Sequence, residues 1–171
     1  RGELTLSLAD SEQSLDEVYA IHVKNMVAIG GTPKPNGFVS AVRKNFIDGQ
    51  DYQLFVARDG QRIVAGLLVF YFKSWAEYFM PATEPRYRVE QPMSGLILLA
   101  MEAAIQRGKT RWNWGGTWKS QTGVHRFKRG FGAKDIDYRY YSKLSAGRDW
   151  NPEVIRATRA AFPFFYIAPE R

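Results

Sequence analysis

Residues 52–80 read YQLFVARDGQRIVAGLLVFYFKSWAEYFM. Tyr52 to Arg58 reads as a strand, Asp59-Gly60 as a hairpin turn, and Arg62 to Phe72 as the returning partner. The run IVAGLLVFYF, Ile63 to Phe72, is apolar at almost every position. A strand with one wet face alternates apolar and polar residues. A run without that alternation predicts a strand covered on both faces, in the middle of its sheet. Trp75 to Met80 reads as a third antiparallel strand.

The flanking sequence supplies the cover. Leu4, Leu6 and Leu8 alternate with polar residues, as in a half-buried strand. Ser14 followed by Glu17 gives a capping-box pattern at the start of a helix. That helix carries Leu15, Val18, Tyr19 and His22 on one stripe and ends at Gly30-Gly31. His22 is expected to be a packing residue with a hydrogen-bond partner. Pro33 and Pro35 form the link to a second helix over residues 36–48, with Phe38, Val42 and Phe46 on one face. Residues 81–91 read as a loop. Pro92 suits the first turn of a helix reaching Arg107, apolar on most sides. A short strand over Arg111–Trp114, a Gly115-Gly116 turn and a helix over residues 123–129 follow. A tyrosine-rich strand over Ile136–Leu144 and a last helix from Pro152 complete the pattern. Strands and helices in this order predict an α/β mixed sheet with helices on both faces. The chain is expected to be one domain over 1–171, with its core at about 4–144 and a C-terminal helix and tail over 150–171.

The chain has 171 residues, 45% of them hydrophobic, enough to bury a core without disulfides or metals. There is no cysteine, which removes disulfides and cysteine zinc sites and suits a reducing, cytoplasmic setting. Two histidines argue against a histidine metal cluster, and no metal is expected. The longest apolar run is about half of what spans a bilayer, and no secretory signal pattern opens the sequence. A start at Arg1 rather than Met is expected of a piece of a longer protein.

The net charge of +7 is unevenly spread. Between Arg107 and Lys134 stand eight basic residues (Arg107, Lys109, Arg111, Lys119, Arg126, Lys128, Arg129 and Lys134) and no acid. A field of one sign over one segment attracts anions such as phosphates, nucleic acid or nucleotide-linked substrates.

The same segment carries WNWGGTWKSQTGVHRFKRGFG, residues 112–132. This resembles the signature of the FemAB family of peptidyltransferases: an aromatic-Asp-aromatic strand, Gly-Gly, a variable loop, and Gly-Val-Tyr-Arg-Phe-Lys-x-Gly-Phe-Gly. The match runs through Gly123, Val124, Arg126, Phe127, Lys128, Gly130, Phe131 and Gly132. KNMVAIGGTPKPNGF and QPMSGLILLAMEAAIQRG resemble the family's earlier segments, so the likeness spans most of residues 15–144. Asn113 departs from the usual Asp, which removes a carboxylate from that strand, and His125 departs from the usual Tyr. The resemblance implies a GNAT-like acyl-CoA N-acyltransferase fold in single copy, where the family uses tandem copies. It implies transfer of an acyl or aminoacyl group, from aminoacyl-tRNA or acyl-CoA, to an amine or hydroxyl of a cell-wall precursor or polysaccharide. It also places Phe127 and Lys128 in substrate holding and catalysis, and makes a second GNAT-like domain or a homodimer a possible partner.

The residue chemistry is compatible with this. A tetrahedral oxyanion needs a cation or donor beside it, and Lys128 is such a group; with Arg126 and Arg129 it could instead pair with a donor phosphate. Phe127 could stack on a terminal base or pack in the core, since Val124, Phe127 and Phe131 share a helix face. Gly115, Gly116 and Thr117 could offer backbone N–H groups to an anion. Arg88, in a loop before a helix start, and His125 are further candidate substrate contacts, with Asn113 beside them. The stretch RVEQPMSG lacks the glycine pattern that cradles pyrophosphate in acetyl-CoA enzymes of this fold, so no tightly bound cofactor is expected. Two other readings fit the same residues. One is a non-catalytic module holding a nucleotide-linked or RNA ligand; the other is half of a two-domain transferase, inactive alone.

Overall fold

The computed structural model describes residues 3–118, 120–137, 141 and 151–162. It divides into two compact units, Arg1–Phe131 and Gly132–Arg171. The first unit is built on a five-stranded sheet in the order β1-β2-β3-β4-β5. The strands are β1 (Thr5–Leu8), β2 (Tyr52–Asp59), β3 (Arg62–Phe72), β4 (Trp75–Thr83) and β5 (Arg111–Asn113). The first four pair antiparallel, and β5 joins β4 in parallel. Helices α1 (Gln13–Ala28) and α2 (Phe38–Asn45) precede β2. A 3-10 turn (Pro85–Glu90) and α3 (Pro92–Gln106) lie between β4 and β5, and α4 (Thr122–Gly130) follows β5.

β3 is central, as its uniform apolar run requires: Ile63 to Val69 are all buried. Its alternate residues feed two cores. Val64, Leu67, Val69 and Tyr71 pack with Leu96, Ile97, Ala100 and Ala104 of α3. Ile63 and Leu68 pack with Leu15, Val18 and Ile21 of α1 and with Val39 and Val42 of α2. β4 follows the same logic until a bulge: Val69 pairs with Tyr78 but Leu68 with Met80, which leaves Phe79 as an extra residue. A bulge bends a strand and increases its twist, and bulges are common beside active sites.

Several expectations are corrected in detail. α1 begins at Gln13 with no side-chain cap, and Ser14 is buried inside its first turn, sharing a hydrogen bond with the Ser11 hydroxyl at 3.1 Å. The Ser14–Glu17 pattern is therefore not a capping box; core burial of Ser14 overrides it. α2 is shorter than expected, because the chain turns extended at Phe46. Residues 81–83 belong to β4 rather than to a loop. Pro81 is tolerated there because β4 has already lost β5 on its outer side, and a missing N–H costs little on an unpaired edge. His22 is buried and accepts a hydrogen bond from the Lys34 backbone N–H at 3.2 Å, as a packing residue should.

In the second unit, helix α5 (Pro152–Ala161) starts at Asn151, whose side chain accepts from the N–H groups of Glu153 and Val154 at 3.0 and 2.9 Å. Most of the tyrosine-rich strand expected over Ile136–Leu144 lies outside the described residues, Tyr138 and Tyr140 included. Ile136, Asp137 and Tyr141 are described, and none belongs to a strand.

Two glycines set how closely helices approach the sheet. A Cβ on Gly95 would meet only the flexible end of the Leu6 side chain. A Cβ on Gly66 of β3 would stand 2.3 and 2.7 Å from the two methyls of Val18, a wholly buried residue. Val18 is β-branched and cannot swing aside. Gly66→Ala should therefore cost about 1–3 kcal/mol, read as a lowered melting temperature. Adding Val18→Ala should recover part of the Gly66→Ala loss, and Gly95→Ala should cost much less.

Candidate active site

The parallel pairing of β4 with β5 lasts three residues: Trp75–Glu77 beside Arg111–Asn113. β5 then stops while β4 continues to Thr83, so the sheet opens just past Glu77. Glu77 and Asn113 are register partners, which sends their side chains out of the same face. With Phe70, Phe72 and Trp75 they line a depression of about 210 Å³. The Asn113 side chain stands beside the Glu77 carboxylate as its register partner, and its Oδ1 accepts from the Gly115 N–H at 3.0 Å. Burial raises the Glu77 carboxyl above its ordinary pKa; the Asn113 side chain and the charge of Lys128 oppose that rise. The carboxylate that β5 lacks at Asn113 thus stands opposite it on β4. Sequence reading missed Glu77 because the two strands are far apart in the chain.

Lys128 lies on α4 and is buried. Its ammonium donates to Trp114 O at 2.8 Å, Gly116 O at 3.2 Å and Thr117 Oγ1 at 2.8 Å, with Gly115 O at 3.4 Å. Its three protons are taken up by oxygens of residues 114–117, so the amine faces the protein and not an open cleft. Desolvation lowers its pKa, against the pull of Glu77. Gly115 adopts φ +66, a turn conformation that glycine takes without strain.

The clamp has a stereochemical consequence. In a trans peptide the C=O and the next N–H point in opposite directions. The carbonyls of Gly115 and Gly116 turn toward Lys128, so the N–H groups of Gly116 and Thr117 turn away from it. Among the described residues neither N–H has a hydrogen-bond partner. The preceding N–H, of Gly115, is directed to Asn113, and a Cβ on Gly115 would lie 3.8 Å from Glu77 Oε1. Gly115 thus stands against the Glu77 carboxylate, and the two N–H groups that follow it in the chain carry no partner among the described residues.

The other expected site residues divide between this opening and elsewhere. Phe127 is 38% exposed and Val124 41%, so the core reading of that helix face is corrected: only Phe131 packs inward, against Trp114 at 5.5 Å. Phe127 stands edge-on to Phe131 at 5.2 Å. His125, Arg126 and Arg129 lie on the exposed surface of α4. Arg88 is exposed on the 3-10 turn past the far end of β4, and no contact joins it to Lys128 or Glu77. Lys119 lies outside the described residues.

A mixed sheet that opens between a long β4 and a parallel β5, with helices on both faces, defines a class of acyl-transferring domains. The family model described as an acetyltransferase (GNAT) domain matches residues 1–129, and the chain belongs to this family. Solved structures share the fold. A transcriptional regulator from Bacillus halodurans C-125 is 21% identical, with a TM-score of 0.64 over 83% of this chain and 100% of that one. The aminoglycoside 6'-N-acetyltransferase AAC(6')-Ih from Acinetobacter baumannii is 17% identical, with a TM-score of 0.63 over 85% and 100%. A predicted acetyltransferase from Clostridium acetobutylicum, solved with acetyl-CoA, is 14% identical, with a TM-score of 0.63 over 83% and 97%. No curated protein matches the sequence significantly.

Removing the Lys128 ammonium would leave part-buried oxygens of residues 114–117 without their donor. Lys128→Met should therefore destabilise the first unit by about 1–3 kcal/mol, seen as a lower melting temperature. Hydrogen exchange at the amides of residues 114–117 should speed up more than exchange in β2 and β3.

Proposed function

We propose that this chain is an acyltransferase of FemAB type that moves an acyl or aminoacyl group onto an amine or hydroxyl of a cell-wall precursor or polysaccharide. The observation that carries this reading is the Lys128 clamp, which leaves the N–H groups of Gly116 and Thr117 unpaired among the described residues, directly after the Gly115 that stands against Glu77. The FemAB-like motif over residues 112–132 and membership of the GNAT family support the reaction class.

In this reading the acceptor enters the depression lined by Phe70, Phe72 and Trp75. Its nitrogen or oxygen attacks the donor's carbonyl carbon, and a proton passes from the attacking atom to the Glu77 carboxylate. A raised carboxyl pKa suits a base working near neutrality. The N–H groups of Gly116 and Thr117 donate to the oxyanion that forms. Collapse breaks the bond to the donor's sulfur or oxygen, and the proton leaves with that group. Lys128 acts through the loop it holds and is a positioning residue. Phe127, Arg126, Arg129 and His125 line the outer side of α4, where the carrier portion of a donor would lie, and Arg88 lies beyond it. The donor is an acyl-CoA or an aminoacyl-tRNA. Acetyl-CoA is bound in the Clostridium acetobutylicum structure, and the basic segment 107–134 suits either carrier.

The test is turnover with acetyl-CoA and with an aminoacylated minihelix as donors, against UDP-linked cell-wall precursors and amino sugars as acceptors. Glu77→Gln should lower kcat about 10²–10⁴-fold without lowering the melting temperature. The folded carboxyl titrates above its unfolded value, so ionised Glu77 weakens the fold at neutral pH and its removal does not. The wild-type rate should fall as pH drops through the raised Glu77 pKa, and that limb should vanish in the variant. Wild-type turnover by Glu77→Gln would remove the carboxylate from the mechanism.

A further inference from the structure

One end of the sheet gathers three loops: residues 46–51 after α2, the Lys73-Ser74 hairpin tip, and residues 107–110 after α3. They are tied together. The Arg107 guanidinium donates to Gly49 O, Lys109 Nζ to Lys73 O at 2.8 Å, and the N–H groups of Thr110 and Arg111 to Ser74 O at 3.0 and 3.1 Å. From this joined surface project Phe72, 69% exposed, Ile47, 59%, and Trp75, 37%. Cations stand beside its aromatic rings. Lys73 lies 5.2 Å from the Phe72 ring and Arg111 5.0 Å from Trp75. Arg107 and Lys109 lie 4.8 and 5.7 Å from the buried Tyr71 ring next to Phe72 in β3. Among the described residues none of these four pairs with a carboxylate. Of the acids close by, Asp48 accepts from the Gly49 N–H and Asp51 from the Ile47 N–H, while Glu77 lies within the depression.

We propose that this end of the molecule docks on a membrane surface containing anionic lipids. Exposed apolar side chains with cations beside them fit the boundary between headgroups and acyl chains, where apolar groups enter and ammonium and guanidinium groups meet phosphates. A single nucleic-acid strand needs open ring faces for its bases as well as cations for its phosphates. Here the Phe72 and Trp75 rings already carry a cation, and Ile47 has no ring to offer. Phe72 and Trp75 also wall the depression that holds Glu77, so docking would bring that depression to the lipid surface. This last consequence rests on the proposed function; the docking itself does not.

The test is sedimentation of the chain with vesicles of phosphatidylcholine alone and of phosphatidylcholine with phosphatidylglycerol. The protein should pellet with the anionic vesicles, not with the neutral ones, and raised salt should release it. Lys73→Ser with Lys109→Ser should weaken binding about thirtyfold, from roughly 1 kcal/mol for each cation near the surface. Ile47→Ser should weaken it several-fold. Lys24→Ser with Arg86→Ser, equal in charge but elsewhere, should bind as the wild type does. Melting curves establish that each variant is folded. Failure of the wild type to pellet, equal binding to neutral vesicles, or equal loss in the two double variants overturns the proposal. So does tighter binding to an RNA minihelix that depends on Lys73 and Lys109.

Discussion

A single buried ammonium fixes the geometry of the candidate site. Lys128 has been taken out of water, and a desolvated charge persists only where polar atoms replace its hydration. Those atoms are the carbonyls and hydroxyl of residues 114–117. The exchange works in both directions. The loop gives the cation a cage, and the cation gives a glycine-rich loop one defined shape. Without such a partner, two adjacent glycines would leave the loop with many conformations of similar energy.

The second constraint is the brevity of β5. A parallel partner of three residues ties the loop after Asn113 to β4 at Glu77 and then releases it. Had β5 continued, ladder hydrogen bonds would have consumed the N–H groups that the loop now leaves unpaired. The bulge at Phe79 falls two residues past the last paired position, so β4 bends close to where it loses its outer neighbour. The opening is thus made by strand geometry, while both faces of β3 and β4 remain anchored in continuous cores.

The basic segment proves to be three things in space. Arg107, Lys109 and Arg111 sit at the end of the sheet with the β3–β4 hairpin. Lys128 turns inward and is spent on the loop. Arg126 and Arg129 remain on the outer surface of α4. A sum of charges along a sequence cannot separate these, because helix periodicity and strand pairing send neighbouring residues in different directions.

The sequence alone determined the central strand, the hairpin at Asp59-Gly60 and the element order. These rest on local turn chemistry and on periodicity, which a linear chain displays directly. It also singled out residues 112–132, and with them Lys128, Gly115, Gly116 and Thr117. Only the tertiary structure decided what those residues do to one another. The pairing of Glu77 with Asn113 joins residues more than thirty positions apart in the chain. The inward turn of Lys128 depends on where α4 lands against the Gly-Gly loop. Both are long-range contacts, and nothing in the local sequence of either partner specifies the other.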